Sequence, residues 1–243
     1  MRQSRAPHSA LIFPLDVHRD EDARIWVRRL STSVGMFKIG LELFIRSGPD
    51  IVRWVRDESD AGIFLDLKLY DIPATVRHAM ASMAELGASM ATVHCGENPR
   101  MLEAAVEGAA GRTRVLAVTV LTSVSSQHLT KAGYLESLAR DPTRLVVQRA
   151  QSAKAAGCDG VICSGREVAA IKQACGDDFL AVTPGIRPAF SIAGSDEDQE
   201  RVSTPASAIA GGADYLVVGR PIRDAEDPRE AVSRIVAEIA SAM

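Results

Sequence analysis

The sequence has few of the residues that build metal sites and disulfide frameworks. Its 243 residues include four cysteines and five histidines. The cysteines lack the close pairing of metal ligands or of a secreted disulfide framework, and the histidines show no ligand spacing. We therefore predict reduced, buried thiols, a cytoplasmic location and no metal site. The residues concerned are Cys95, Cys158, Cys163, Cys175, His8, His18, His78, His94 and His128.

The sequence also lacks a strong charge and a long apolar run. A net charge of -3 and a pI near 6.0 make nucleic acid and anionic membrane poor candidates for the main partner, although a local anion site stays compatible with them. No apolar stretch approaches the roughly 18 residues needed to cross a bilayer. The arginines near the start precede only a short apolar run, residues 10–15, which is typical of a strand and not of a signal peptide. A soluble protein is expected.

Short apolar segments alternate with longer helical ones along the whole chain, which is typical of βα units around a parallel sheet. With 47% hydrophobic residues and no linker, the chain fits one domain over residues 1–243. We therefore predict a single (β/α)8 barrel, the TIM barrel of the α/β class, with a doubly wound open sheet as the alternative. The predicted strands are residues 10–15, 36–39, 63–67, 90–94, 115–120, 160–163, 180–183 and 215–218, and the clearest helices are 74–86, 142–156 and 228–240.

Polar residues stand at the ends of most predicted strands. In a barrel of this kind the functional groups lie at the carboxyl ends of the strands, so these residues form the candidate site. For His94 a satisfied structural histidine is the favoured interpretation, and for Thr122 a turn hydroxyl remains an alternative. The set comprises Asp16, Lys38, Asp66, Lys68, His94, Thr122, Arg187 and Arg220.

The third predicted strand ends in a charged pair. Asp66 and Lys68 are two residues apart, so a strand directs both to one face while the neighbouring leucines take the other. A charged pair that faces a barrel mouth is costly to desolvate and requires compensating partners, which Lys38 and Asp71 can supply. A buried ion-pair network that only closes the barrel remains the structural alternative.

The segment after this strand contains further candidate groups. Pro73 suits the first turn of the next helix, which places Asp71 and Ile72 in the connecting loop and Thr75 in the first helical turn. The loop therefore carries polar groups that are available to a site.

Two features near the end of the chain indicate an anion site and a lid. Gly219 and Arg220 end the eighth predicted strand and Pro221 can open a helix, so backbone N–H groups and a guanidinium converge where barrels often hold phosphate. The connection formed by residues 184–202 exceeds the usual length of a barrel loop and is typical of a lid.

Residues 66–73, Asp-Leu-Lys-Leu-Tyr-Asp-Ile-Pro, resemble the D-x-K-x-x-D-I-P signature of the orotidine 5'-phosphate decarboxylases. Six further segments resemble motifs of that family, in the family's order and across nearly the whole chain. Pro14 and residues 95–98 depart from the family pattern. The six segments are residues 15–17, 38–40, 118–123, 183–188, 198–202 and 212–222.

The resemblance implies cofactor-independent decarboxylation of orotidine 5'-monophosphate to uridine 5'-monophosphate, in de novo pyrimidine nucleotide biosynthesis. The C6 carbanion of this reaction has no adjacent carbonyl for delocalisation, so fixed charges must stabilise it. By the resemblance, Lys68 stabilises that charge and then protonates C6, and Asp66 lies against the departing carboxylate. Lys38 and Asp71 are expected to complete the charge array.

The resemblance also implies how the substrate is bound. Asp16 and Lys38 are expected to hold the ribose, and Thr122 is expected to hydrogen-bond the amide edge of the pyrimidine. Gly219 and Arg220 are expected to bind the 5'-phosphate.

The remaining implied contacts come from the lid and from a second subunit. Gln199 is expected to reach the phosphate when the lid closes, while Arg187 lines the base of the site. Asp71 and Thr75 are expected in the active site of the partner subunit, near the ribose hydroxyls, and Ile72 is a further candidate for substrate binding. The functional unit is then a homodimer with shared active sites.

Two rival functions remain open. One is a metal-dependent sugar-phosphate decarboxylase or aldolase on a related barrel, where the D-x-K-x-x-D pattern also occurs; Lys38 argues against it. The other is a non-catalytic nucleotide-binding protein that keeps only the phosphate and ribose contacts, and the presence of both Lys38 and Lys68 argues against that function.

Overall fold

The computed structural model describes residues 5–96, 98–192 and 203–243. Eight strands of this part of the chain pair in parallel in chain order, and the first also pairs with the last, so the sheet closes into a barrel. The strands are β1 (Leu11–Pro14), β2 (Met36–Gly40), β3 (Gly62–Leu69), β4 (Met90–His94), β5 (Arg114–Val118), β6 (Gly160–Ile162), β7 (Leu180–Thr183) and β8 (Tyr215–Val217).

Helices separate the strands and surround the barrel. A short 3₁₀ helix, Pro7–Ala10, precedes β1. The α-helices are α1 (Asp20–Leu30), α2 (Leu41–Ser47), α3 (Asp50–Glu58), α4 (Pro73–Glu85), α5 (Pro99–Ala109), α6 (Ser126–Lys131), α7 (Glu136–Ala139), α8 (Pro142–Ala155), α9 (Val168–Cys175), α10 (Ala189–Ile192), α11 (Pro205–Ala210), α12 (Arg220–Arg223) and α13 (Pro228–Ala240). Among the residues described, no helix is long and apolar enough to span a bilayer.

The closed barrel confirms the predicted (β/α)8 fold and excludes the doubly wound sheet. Each observed strand lies within two residues of its predicted bounds, and the predicted helix 228–240 has the observed bounds of α13. The largest shifts are in β3, which continues to Leu69, and in β5, which ends at Val118. The Thr119 hydroxyl, just beyond β5, donates to the Ile162 carbonyl at 2.9 Å, so a side chain continues the link to β6 after the backbone has left the sheet.

Two apolar layers hold the barrel together. One fills its interior, and the other lies between the sheet and the helices. Both faces of each strand are therefore buried, which explains why the strands are nearly continuous apolar runs instead of alternating patterns. The interior layer comprises Ile12, Phe64, Met90, Leu116, Val182, Tyr215 and Val217.

The amino-terminal end of the barrel is closed by polar groups that satisfy one another. The Tyr215 hydroxyl accepts from Arg114 at 2.9 Å, and the Arg5 guanidinium lies 3.8 Å from the centre of the Tyr215 ring. The buried Lys172 ammonium donates to the Asp214 carboxylate at 2.7 Å. Because these groups close this end, the opposite mouth of the barrel is the one that opens to ligands.

The four cysteines are buried thiols, as predicted. Burial raises the pKa of the Cys158 thiol to about 12 and also raises the pKa of the Cys163 thiol, so both stay protonated near neutral pH.

Candidate active site

A cavity of about 610 Å³ opens at the carboxyl ends of the strands. Most residues predicted for the site line it, and it narrows onto the apolar interior layer at Phe64 and Val217. The predicted site residues in its wall are Asp16, Lys38, Asp66, Lys68, Thr122, Arg187, Gly219 and Arg220.

Four of these side chains form a row of alternating charge. The Lys38 ammonium lies 3.0 Å from an Asp16 carboxylate oxygen and 3.6 Å from the Asp66 carboxylate. The Lys68 ammonium lies 2.8 Å from the same Asp66 oxygen. Each interior charge therefore has an opposite charge on either side, which compensates the cost of removing it from water.

The register of the first three strands builds this row. Pro14 pairs with Lys38, and Lys38 with Phe64, so Asp66 lies one inward-facing position beyond Lys38 on the neighbouring strand. Asp16 follows β1 at the same height. The side chains of Lys38 and Asp66 are each only 12% exposed, so their attraction is screened less than that of a surface pair.

Lys68 lies in an irregular part of β3. The register between β3 and β4 shifts between Leu65 and Leu69, and Lys68 has a left-handed backbone with φ 50°. That conformation is costly for a residue with a Cβ, and here it lets the Lys68 N–H donate to the Thr92 hydroxyl at 2.9 Å. The bulge keeps the ammonium beside Asp66 while the chain turns toward α4.

Thr92 is a site residue that the sequence analysis missed. It is fully buried in β4, accepts from the Lys68 N–H, and donates its hydroxyl to the Asp66 carboxylate at 3.0 Å. It therefore holds the carboxylate and the backbone of the lysine at once. The signal was present in the sequence, because Thr92 is the only hydroxyl residue inside an otherwise apolar strand segment and faces inward with Met90 and His94.

His94 lies at the end of β4 beside the charged row. Burial lowers its pKa most, and the positive charges of Lys68 and Arg149 lower that pKa further, while Asp66 raises it. Its ring contacts the Tyr70 ring edge to face, with centroids 5.9 Å apart. The imidazole is thus neutral near pH 7, and its packed environment agrees with the structural interpretation.

Asp71, Ile72 and Thr75 lie apart from this cavity. Asp71 is exposed, and its carboxylate accepts from the Ile72 N–H at 2.6 Å. Ile72 is 66% exposed, and Pro73 starts α4 as predicted. Within one chain the charged row consists of Asp16, Lys38, Asp66 and Lys68, and the part of Asp71 in the charge array stays a prediction that concerns the partner subunit.

The far side of the cavity is formed by the ends of β7 and β8. Gly219 precedes α12, and a Cβ at this glycine would lie 2.9 Å from Pro14, so the glycine permits close contact across the seam between β8 and β1. Arg220 and Arg187 add positive charge to this side of the wall.

The predicted lid, residues 184–202, is anchored near its start. The Arg187 N–H donates to the carbonyl of Ser203, the residue that follows the predicted lid, at 3.1 Å. Gln199 lies outside the described residues.

The fold and the site together define a barrel enzyme whose cavity carries fixed charges of both signs. The family model described as Orotidine 5'-phosphate decarboxylase / HUMPS family matches residues 9–235. The chain belongs to this family.

Named relatives match over nearly their whole length. The chain is 50% identical to the orotidine 5'-phosphate decarboxylase of Desulfosudis oleivorans, over 99% of this chain and 97% of that protein. It is 46% identical to the enzyme of the same name from Syntrophotalea carbinolica, covering 96% of both. The crystal structure of orotidine 5'-phosphate decarboxylase from Lactobacillus acidophilus superposes with a TM-score of 0.80 at 35% identity, covering 94% of this chain and 98% of that one.

Replacement of Thr92 by valine is expected to impair both activity and stability. Valine keeps the shape but removes two hydrogen bonds, so the Asp66 carboxylate loses a donor and the Lys68 N–H loses its acceptor. We expect unfolding free energy to fall by about 1–3 kcal/mol and kcat to fall at least about tenfold, measured by denaturant titration and steady-state kinetics. The matched control is Thr113→Val, which removes a buried hydroxyl bond to the Ala88 carbonyl at the other end of the barrel. Equal kcat in the two variants would contradict the role of Thr92.

The titration of His94 is expected to report the Lys68 charge. Its midpoint should lie below the ordinary value of about 6.5, because the folded protein disfavours the imidazolium. The folded state therefore loses stability relative to the unfolded state as the pH falls through that ordinary value. In Lys68→Ala the His94 pKa should rise, since a neighbouring positive charge is gone. Imidazole NMR signals followed with pH measure both, and an unchanged midpoint in the variant would refute the coupling.

Proposed function

We propose that this protein decarboxylates orotidine 5'-monophosphate to uridine 5'-monophosphate without a cofactor, as a step in de novo pyrimidine nucleotide synthesis. The observation that carries the proposal is the Lys68 ammonium, held 2.8 Å from a buried carboxylate at the mouth of a cavity in a member of this family. The whole chain acts as one barrel domain, and its compartment is the cytoplasm.

The chemistry assigns separate tasks to the two charges of the third strand. The bond between C6 and the carboxylate breaks, carbon dioxide leaves, and the electron pair stays on C6. Lys68 stabilises that pair and then transfers an ammonium proton to C6. Asp66 lies against the departing carboxylate and, with Thr92, holds Lys68 in place.

Several fixed charges are needed for this reaction. At an effective dielectric near 20, one unit charge at about 4 Å contributes roughly 4 kcal/mol, whereas enzymes commonly lower barriers by about 8–23 kcal/mol. A row of charges that is already oriented before the substrate binds avoids the reorganisation that water would require. Lys38 keeps this row continuous, because it contacts both Asp16 and Asp66.

The rest of the cavity suits the other parts of a nucleotide. Asp16 and Lys38 would hold the ribose hydroxyls, and Thr122 would hydrogen-bond the amide edge of the pyrimidine. On the opposite wall, Gly219 and Arg220 would bind the 5'-phosphate. The phosphate would also be met by Arg187 and, from the lid, by Gln199.

The active unit is a homodimer in which each site draws on both chains. Asp71, Ile72 and Thr75 lie outside the cavity of their own chain and would enter that of the partner, near the ribose. Large apolar side chains are exposed after the neighbouring strands β2 and β3, where a soluble protein normally avoids them, and a second copy would cover them. These side chains are Leu41, Ile45, Tyr70 and Ile72.

The metal-dependent sugar-phosphate decarboxylases or aldolases are the alternative within related barrels. The names of the relatives that are 42–50% identical favour the nucleotide decarboxylase. So does Lys38, whose ammonium occupies the space between two carboxylates. Activity that survives a chelator separates the two functions directly.

Purified protein is expected to consume orotidine 5'-monophosphate, followed by its ultraviolet absorbance, with EDTA present and without added metal. Lys68→Ala should lower kcat by many orders of magnitude, because the group that stabilises and protonates C6 is lost. The control is Lys131→Ala, which removes an exposed ammonium from α6 and should retain activity. Full activity in Lys68→Ala, or loss of wild-type activity in EDTA, would contradict the proposal.

Mixed dimers test the shared site. Lys68→Ala and Asp71→Ala should each be nearly inactive alone. A dimer with one subunit of each kind should regain up to about half of the wild-type activity per dimer, since one of its two sites contains both native residues. Differently tagged subunits, purified as verified heterodimers, allow this measurement. Absence of recovery would show that Asp71 does not serve the partner's site.

A further inference from the structure

Arg149 on α8 joins three segments near the carboxyl ends of the barrel strands. Its guanidinium donates to the Thr119 carbonyl at 2.5 Å and to the Tyr134 hydroxyl at 2.7 Å. Its own carbonyl accepts from the Cys95 thiol at 3.3 Å. Arg149 is partly buried and does not line the large cavity, so its contacts act on the wall of the cavity and not on a ligand.

The Thr119 carbonyl lies at the base of the loop that carries Thr122. β5 ends at Val118, and residues 120–122 that follow all line the cavity. Thr119 is held on two sides, because its hydroxyl donates to the Ile162 carbonyl while its own carbonyl accepts from Arg149. The direction in which the next three residues leave the sheet therefore depends on these two bonds.

The second Arg149 contact reaches the connection between β5 and β6, at residues 126–139, which contain α6 and α7 and are called the α6–α7 segment below. Tyr134 lies between these helices, and the guanidinium carbon is 5.8 Å from the centre of its ring. A small apolar cluster packs this segment against α8, and Val120 contacts both this cluster and the layer between the sheet and the helices. This cluster comprises Leu129, Ala139 and Leu145, with Val120, Val124, Tyr134 and Leu138 packed against it.

An arginine suits this position because of its shape. Its planar fork donates in two directions at once, and it stays charged when partly buried. A lysine presents a single point charge on a flexible stem, so it would keep one of the two contacts at most. The Arg149 guanidinium thus fixes the α6–α7 segment and the end of β5 relative to each other.

We infer that Arg149 is a positioning residue for recognition of the pyrimidine. It holds the Thr119 carbonyl and Tyr134 so that the Thr122 hydroxyl meets the amide edge of the base. The inference rests on the proposed function, since it concerns how the nucleotide's base is recognised. It differs from a general structural role because it affects the base and leaves the ribose phosphate contacts on the opposite wall intact.

Two probes separate the base from the rest of the nucleotide. Binding of uridine 5'-monophosphate and of ribose 5-phosphate is measured by calorimetry for wild type and Arg149→Met. We expect Arg149→Met to weaken uridine 5'-monophosphate binding by about tenfold, as for one lost hydrogen bond of a buried group, and to change ribose 5-phosphate binding by less than about twofold. Arg144→Met is the matched control, since Arg144 is an exposed arginine on the same helix.

A double-mutant cycle tests whether Arg149 acts through Thr122. The kcat/KM of Thr122→Val, Arg149→Met and the double variant should be non-additive, because the second substitution removes an interaction that the first has already lost. Arg149→Lys should restore little, and Tyr134→Phe, which removes one of the two acceptors, should cause a smaller loss in the same direction. Tyr134→Phe also keeps the test open if Arg149→Met does not fold.

The outcomes are distinct. The role of Arg149 would be overturned if Arg149→Met weakened the binding of both probes equally, or weakened the binding of neither. The proposed function would still stand in that case, provided that the wild-type protein binds uridine 5'-monophosphate. Strict additivity in the cycle would also overturn the role of Arg149. A wild-type protein that binds ribose 5-phosphate but shows no preference for uridine 5'-monophosphate would refute the proposed function, and this inference with it.

Discussion

The Asp66 carboxylate, held between two ammonium groups and a threonine hydroxyl, is the constraint on which the barrel mouth depends. Its charge is buried, so it is tolerated only while Lys38, Lys68 and Thr92 stay within contact distance. These partners come from three neighbouring strands. The register of β2, β3 and β4 therefore matters as much for the chemistry as the identity of the side chains.

The fold was largely predictable because it follows from local patterns. Apolar runs between helical segments gave eight strands, and spacing of two placed Asp66 and Lys68 on one face. Strand ends were less predictable, since they depend on bonds between distant segments, such as the Thr119 hydroxyl that continues the link to β6. The bulge at Lys68 left no mark in the sequence, because a lysine is not a residue that favours a left-handed backbone.

The site was predictable where residues end strands and unpredictable where contacts cross strands. Lys38, Asp66, Lys68 and Thr122 were found from their positions. Thr92 lies within a strand, and its role exists only because two partners from β3 meet it. The place of Asp16 in the row is also a matter of register, and the sequence alone offered Asp71 as an equally charged neighbour of Lys68. Asp71 lies apart from the cavity of its own chain, so the contact proposed for it depends on assembly and leaves no pattern in one sequence.

The left-handed backbone at Lys68 implies a conflict between durability and turnover. A lysine in this conformation costs about 1–3 kcal/mol of backbone strain, and a glycine or asparagine would relieve much of it. Neither could supply an ammonium. Selection for thermal robustness alone would therefore disfavour lysine at this position, and its presence marks a point at which the protein forgoes stability to keep an ammonium group in the cavity wall.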